Sequence, residues 1–526
     1  MGGIVGGALP SHGSGNGEFW GDPLRMMLSM NTPQAAALQE HHYLALKARD
    51  ARFDGRFFTG VTSTGIYCRP VCKVRTPKRE NCRFFDLAAQ AEHAGFRPCL
   101  RCRPELAPGS GAESAPHWST QDASAILAAQ AARLLDNPGN WCAGAVTMAQ
   151  LAARLGVSER HVRRIFEARW GISPMQYLQT RRLLSAKQWL TDTQLPMREV
   201  AELSGFGSLR RFNAAFAAHY RLEPRQLRKT GGSRGTGLVL KATYRPPYDV
   251  EAMLGFFATR AIAGVEAVDL TTRSLARTVT LQHAGKDLHG WVRMQFLPVD
   301  NAVTLEVSES LAGALDIVVP RLRALLDLDA DPMPINACLG THFPATLGMR
   351  VPGTWNGFEL AARAVLGQQI TVQAARTLSQ RLVDRFGSSL QTPFPGLLRT
   401  FPDASTLASA AAQDLGELGI VRQRQVAILA LARAVATGEL VLNSSVQVPA
   451  TLAVLQSIPG IGPWTANYIA MRALRWPDAF PAGDVALQSA LGVRNAKHPA
   501  VEAERASQAW KPWRSYAVIR AWSLPK

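Results

Sequence analysis

The sequence predicts a multidomain, mainly α protein: a small α/β zinc domain, a double helix-turn-helix domain, a β-rich subdomain and an all-α helix-hairpin-helix domain. Three features carry this. Four cysteines fall in one segment as two close pairs, one two-helix pattern occurs twice, and strand-like alternation precedes a long helical stretch holding a two-glycine hairpin. Length agrees, because 526 residues at roughly 100–200 per domain make three or four domains.

Lys and Arg number 58 and Asp and Glu 40, which leaves a formal charge of +18. Hydrophobic residues make up 47% and charged residues 19%, which excludes a largely disordered chain. No apolar run approaches the roughly 18–20 residues that cross a bilayer, so no membrane partner is expected. The N-terminus lacks the basic and apolar regions of a secretory signal, which makes the cytoplasm the expected compartment. A cationic excess without a membrane element points to nucleic acid, because phosphate contacts are what such an excess serves.

Residues 1–42, whose first forty are rich in Gly, Ser and Pro, read as a mobile leader. The zinc segment follows over 43–106, with Cys68-x3-Cys72 and Cys99-x2-Cys102 separated by 26 residues. Two such hooks can deliver four thiolates to one tetrahedral zinc ion. An odd total of seven cysteines argues against a disulfide framework. A fifth cysteine, Cys82, lies between the pairs, and Cys142 and Cys338 stand alone. On spacing alone the site reads as a structural zinc ribbon.

The residues around it say more. Thr64 through Cys72, Arg75, Asn81, Phe84-Phe85 and Gly95-Phe96-Arg97-Pro98-Cys99 resemble the N-terminal domain of the Ada family. That family repairs methyl phosphotriesters in DNA by irreversible methyl transfer to a zinc-bound cysteine. The resemblance implies that Cys68 is the acceptor and that Cys72, Cys99 and Cys102 complete the zinc site. It also places Thr64, Lys73, Arg75 and Arg97 where the family meets the DNA backbone; without it they read as a solvated basic rim. No Pro-Cys-His-Arg motif of an O6-alkylguanine methyltransferase occurs, so direct guanine repair is not expected.

A linker, Ala107 to Ala112, leads to the helical segment 121–229. There Thr147 to Ser158 fits a helix, a Gly156 turn and a new helix capped by Ser158. Val200 to Ser208 repeats the pattern. Two copies joined by a long helix and followed by Pro224-Arg225-Gln226-Leu227-Arg228 resemble the AraC-type DNA-binding domain. That layout implies that Arg160–Phe166 and Leu209–Phe216 enter successive major-groove segments, with RNA polymerase as a further partner at target promoters.

The glycines of Gly231–Gly237 read as a flexible joint that separates the C-terminal half. Alternation over 238–310, as in Ala302-Val303-Thr304-Leu305-Glu306-Val307, predicts strands. Residues 311–526 read as helical. Their most informative run is Leu455 to Arg472, where Ile458-Pro459-Gly460-Ile461-Gly462-Pro463 forms a hairpin between two helices. Gly460 and Gly462 allow close approach to a phosphate, and the next helix N-terminus offers free amides. Alone, the motif indicates sequence-independent DNA binding. Asp484 lies 22 residues beyond Gly462, and by itself an Asp there reads as a helix N-cap.

Hairpin, downstream Asp484, Tyr244-Arg245-Pro246-Pro247-Tyr248-Asp249 and the β-rich region together resemble the AlkA-type 3-methyladenine DNA glycosylases. The resemblance implies that Asp484 is catalytic, stabilising an oxocarbenium-like sugar and aiding water attack. Trp464 stands where bifunctional relatives carry a Schiff-base lysine, which implies a monofunctional enzyme and a Trp face for the flipped cationic base; the other reading of Trp464 is a core residue. Gln368-Gln369-Ile370 is a candidate for filling the vacated stack. The expected whole repairs alkylated double-stranded DNA and binds promoters, with one zinc ion as cofactor.

Overall fold

The structure, a computed structural model, describes residues 33–109, 123–136, 146–228, 237–283 and 285–524. Cys142 and residues 231–236 of the expected joint lie outside them. Among the described residues, no helix is long and apolar enough to cross a membrane.

The described chain opens on a helix, Pro33–Ala48, so residues 33–42 of the expected leader are nearly three turns of helix instead. The reason is packing: His42 stacks on Phe57 with ring centroids 4.3 Å apart, and the Tyr43 hydroxyl donates to Pro77 O at 3.2 Å. Strands β1 (Phe58–Val61), β2 (Ile66–Cys68), β3 (Cys82–Phe85) and β4 (Arg97–Pro98) form a sheet of order β3-β1-β2-β4. β1 runs antiparallel to β2 and β3, and β2 pairs parallel with β4, setting Tyr67 opposite Pro98. The short helix Ala88–His93 lies on this sheet, over a small aromatic core of Phe58, Tyr67, Phe85 and Phe96.

Both two-helix units form. Thr147 caps the helix Met148–Leu155 in a capping box with Gln150, and Gly156, at φ 68°, ends it in the left-handed conformation. Ser158 then caps Glu159–Trp170, its side chain accepting from His161 N at 3.3 Å. The connecting helix Pro174–Asp192 leads to the second unit, Met197–Leu203 and Leu209–Tyr220, the latter capped by Ser208.

The two units belong to different cores. Leu151, Val162 and Phe166 of the first pack with Leu87 and Ala89 of the zinc segment. Val200, Phe212 and Phe216 of the second share one continuous core with Leu240, Val303 and Leu305 of the β-rich region. The expected separation at Gly231–Gly237 is therefore corrected: apolar faces on both sides of it meet. Gly237 itself opens a strand, and a Cβ there would lie 2.7 Å from Val307 O.

Strands β5 (Gly237–Thr243), β6 (Glu266–Asp269), β7 (Ser274–His283), β8 (Lys286–Leu297) and β9 (Ala302–Ser308) form an antiparallel sheet of order β5-β9-β8-β7-β6. Leu311, Leu315, Val318 and Leu322 are fully buried in the same core as this sheet. The helix Leu315–Leu325 thus belongs to the β-rich body, which extends past the expected boundary at 310. The remaining helices enclose two further cores, one around Val365, Ile428 and Ile469, the other around Met471, Trp513 and Ala517.

Candidate functional site

The four cysteines converge because the sheet brings their hooks together. β2 ends at Cys68, a turn bonds Cys72 N to Arg69 O at 3.1 Å, and Cys99 N bonds Tyr67 O at 3.0 Å as β4 closes on β2. The sulfurs of Cys68, Cys72, Cys99 and Cys102 all lie within 4.8 Å of one another. Zinc bound tetrahedrally at about 2.3 Å needs sulfurs about 3.8 Å apart, so the donor set fits that ion. Cys68 is 6% exposed, and Cys102 is the half-buried member. Cys82 stays outside the cluster, its Sγ 3.3 Å from Lys78 O. Arg69 anchors the site: its N–H donates to Cys102 Sγ at 3.3 Å, and its buried guanidinium is paired with Asp54 and donates to Thr243 Oγ1 at 3.0 Å.

Of the residues expected to meet DNA, Thr64, Lys73 and Arg75 are exposed, whereas Arg97 is half-buried and donates to Tyr220 O at 3.4 Å. The exposed faces of the second helices present Arg160, Arg163 and Arg164 in the first unit and Arg210, Arg211 and Asn213 in the second.

Far along the chain, the helix Val448–Ser457, the hairpin and the helix Pro463–Arg472 form a helix-hairpin-helix. Its glycines differ. Gly460 has φ 85°, and a Cβ there would press Ala427 Cβ at 3.0 Å, whereas a Cβ on Gly462 would meet nothing within 4 Å. Gly460 answers the turn and its packing; Gly462 faces open space. Gln368 Nε2 holds this hairpin, donating to Gly460 O and Thr465 Oγ1, both at 2.9 Å. Gln369 is exposed at φ 57°.

Asp484 caps the helix Val485–Ala490 and also gathers two indole N–H groups. Its Oδ1 accepts from Leu487 N at 2.7 Å and from Trp522 Nε1 at 3.0 Å, and its Oδ2 accepts from Trp464 Nε1 at 2.8 Å. All three partners donate, an arrangement suited to an acceptor-only carboxylate. Trp464 is half-buried and stacks on Tyr468 with rings 5.4 Å apart and 7° from parallel, and Trp522 lies 6.3 Å from Tyr468. An anion thus stands at the edge of an aromatic platform. Sequence reasoning missed Trp522 and Tyr468; the spacing Trp464-x3-Tyr468, one helical turn, was the available signal for Tyr468, and none existed for Trp522.

Four family models match successive parts of the chain: the metal binding domain of Ada over 41–105, a helix-turn-helix domain over 151–230, the AlkA N-terminal domain over 239–356, and the HhH-GPD superfamily base excision DNA repair protein over 362–515. A relative from Mycobacterium tuberculosis, the "probable bifunctional transcriptional activator/DNA repair enzyme AlkA", is 35% identical over 507 residues, covering 92% of this chain and 96% of its own. The chain belongs to that bifunctional activator and repair family.

Two further relatives divide it. The DNA-3-methyladenine glycosylase 2 of Escherichia coli is 34% identical over 281 residues, 53% of this chain and 95% of its own. The bifunctional transcriptional activator/DNA repair enzyme Ada of Escherichia coli is 35% identical over 140 residues, 27% of this chain and 35% of its own. As a member of this bifunctional family, the chain joins a zinc-binding domain and an AraC-type helix-turn-helix regulator to a DNA glycosylase, and serves DNA alkylation repair and its transcriptional control.

Proposed function

We propose that the glycosylase half excises N3- and N7-alkylated bases from duplex DNA by hydrolysing the N-glycosidic bond, and that Cys68 accepts methyl groups from DNA methyl phosphotriesters, which activates promoter binding. What carries the first part is Asp484, held by three N–H donors beside the Trp464–Tyr468 platform.

The enzyme must draw the damaged nucleotide out of the stack before it can reach the bond. Gly462 and the amides of the following helix hold the backbone, with Gly460 shaping the turn. Gln369, exposed at a loop tip, is placed to fill the gap left behind. A base alkylated at N3 or N7 carries positive charge and stacks on the face of Trp464, which is where the attraction between cation and π-system acts. Because that base is already a good leaving group, the remaining need is a carboxylate near the sugar. Asp484 stabilises the developing oxocarbenium charge and takes the proton of the attacking water. With Trp464 in place of an amine, the reaction ends at the abasic site, so the activity is monofunctional.

In the zinc domain, Cys68, Cys72, Cys99 and Cys102 would hold one zinc ion, which would keep the Cys68 sulfur deprotonated yet nucleophilic at neutral pH. Cys68 Sγ attacks the methyl carbon; the S–C bond forms as the C–O bond breaks, and the electron pair leaves with the phosphodiester. Thr64, Lys73, Arg75 and Arg97 grip the backbone around it, and Arg97 must leave Tyr220 O to do so. The helices carrying Arg160–Phe166 and Leu209–Phe216 read the promoter, where RNA polymerase is the further partner, in the cytoplasm.

One incubation tests both parts. The full chain is mixed with methylated duplex DNA, released bases are separated by chromatography, and Cys68 peptides are weighed. Free 3-methyladenine or 7-methylguanine together with a Cys68 peptide heavier by one methyl group is the expected result. No released base overturns the first part, and an unmodified Cys68 overturns the second.

A further inference from the structure

Behind the aromatic platform the charges do not balance. Trp464, Tyr468 and Arg472 follow one another at four-residue steps, so one face of the helix Pro463–Arg472 carries all three. Arg472 is 6% exposed. Its Nη1 donates to the Tyr468 hydroxyl at 2.5 Å, and its other nitrogens donate to Pro352 O at 2.8 Å and Gly353 O at 2.9 Å. Its guanidinium also lies 4.7 Å over the Phe256 ring, which Arg260 covers at 3.8 Å.

Beside them, Arg277 and Arg363 share Glu266 and Glu359 in a buried four-membered network. Four guanidiniums therefore meet two carboxylates. Among the described residues, neither Arg260 nor Arg472 forms an ion pair. Two groups sense the excess: burial would raise the Tyr468 phenol, yet the charges of Arg472, Arg260 and Arg363 hold it below its ordinary value, and Arg260 is lowered by burial and by its cationic neighbours Arg472 and Arg363. Unpaired buried cations are costly. Their position, behind a surface that receives a cationic base, is the opposite of what tight binding of that base needs.

The reaction explains the arrangement. A base alkylated at N3 or N7 enters with a charge of +1. When the C1′–N bond breaks, the electron pair leaves with the base, which becomes neutral, and the positive charge passes to the sugar. Asp484 is bonded to the Trp464 member of the platform, and Arg472 is bonded to the hydroxyl of its Tyr468 member. We propose that Arg472, acting through Tyr468, is a positioning residue of electrostatic kind: it sets a positive potential behind the base that opposes the bound cation and favours its discharge, while Asp484 receives the charge at the sugar. Binding of the ground state is thereby weakened and the chemical step accelerated. Because the charge shifts only from the base to the adjoining sugar, about 3 Å further from a guanidinium about 10 Å away, at an effective dielectric of about 20 the rate changes about twofold.

The inference rests on the glycosylase reading, and the full chain separates the two. Single-turnover excision and half-saturation are measured on duplexes carrying 7-methylguanine, and affinity on a duplex carrying tetrahydrofuran, which has neither base nor charge at that position. Arg472→Gln should lower the saturated rate about twofold and tighten half-saturation for the 7-methylguanine duplex several-fold, with tetrahydrofuran affinity unchanged. Arg472→Lys, which keeps the charge, should restore the rate. A saturated rate in Arg472→Gln equal to wild type overturns the proposal. So does a fall in rate with weaker binding of both duplexes, which is the mark of structural damage, and so does failure of the lysine variant to restore the rate. No release of 7-methylguanine by the wild-type chain would instead overturn the glycosylase reading itself.

Discussion

The cysteine cluster and the aromatic site around Asp484 are assembled from opposite kinds of sequence. All four thiolates lie between positions 68 and 102, and two β-pairings bring them together. The aromatic site draws Phe256, Trp464, Tyr468, Arg472, Asp484 and Trp522 from a span of more than half the chain's second part, and only the packed helices unite them. A site of the first kind depends on its ligand; a site of the second kind depends on its scaffold. The two also touch. Arg245, fully buried, donates to Asp54 O at 2.7 Å in the zinc domain, to Gly109 O, and to Asp329 O at 2.8 Å in the C-terminal half.

The largest effect should come from withdrawing zinc, by chelation or by Cys99→Ala. Structural zinc supplies on the order of 10–16 kcal/mol in small domains, so the 43–106 segment should unfold. Because Arg245 then loses acceptors inside a buried interface, the C-terminal half should lose about 1–3 kcal/mol as well, which lowers its melting temperature by several degrees. Base excision at room temperature should persist. Calorimetry of the zinc-free chain, followed by an excision assay, checks this; an unmoved C-terminal transition would mean that the interface carries no energy.

Asp484→Asn comes next. It leaves the N-cap bond and the hairpin in place but removes the charge at the sugar. Excision should fall about 10²- to 10³-fold, the scale on which a single electrostatic group acts in a transition state, with duplex binding nearly unchanged. Retention of wild-type rates would refute the catalytic role. Trp522→Phe should do less, about tenfold, because it deletes one of three N–H donors and keeps the ring; a loss as large as that of Asp484→Asn would make Trp522 more than an orienting group.

What the sequence discloses follows the same division. The Cys68-x3-Cys72 and Cys99-x2-Cys102 spacing is legible because ligand geometry is imposed on neighbouring residues. The double helix-turn-helix is legible through Gly156 and Ser158, Gly205 and Ser208, whose turn and cap roles are local. Asp484 is found only by its distance from Gly462, and its N-cap bond, which argues for a bland role, coexists with the aromatic site. Trp522 and Phe256 give no local signal, since an aromatic on an amphipathic helix reads as core. Least legible is the packing of the second unit's Phe212 and Phe216 against Leu240 and Val303: a run of glycines at 231–237 reads as a joint, and composition says nothing of the apolar faces on either side. The helix Pro33–Ala48 is lost to the leader for a similar reason, because its contacts are made by His42 and Tyr43 with residues further on.

The smallest effect should be seen where the zinc domain meets the second helix-turn-helix unit. Glu92, on the short helix over the zinc sheet, accepts from Tyr67 at 2.9 Å, from Thr180 of the connecting helix at 2.6 Å, and from His219 of the helix Leu209–Tyr220 at 2.6 Å. The Glu92 hydrogen bond outweighs burial and raises the His219 pKa above its ordinary 6.5. A group whose pKa is raised on folding stabilises the fold fully below its unfolded value and loses that contribution as pH climbs through the folded one. The contact should therefore be strongest below pH 6.5 and weaken above it, by about 1 kcal/mol for a partly exposed charged bond. Beside it the two domains leave a cavity of about 280 Å³ walled by Ile66, Val74, Leu222 and Leu227 among others, so little apolar packing masks the change. Melting curves from pH 6 to 9 should show wild type losing stability relative to His219→Gln, with the two converging at the alkaline end. Parallel curves would show that the Glu92–His219 pair holds the same charge throughout, and that this seam does not respond to pH.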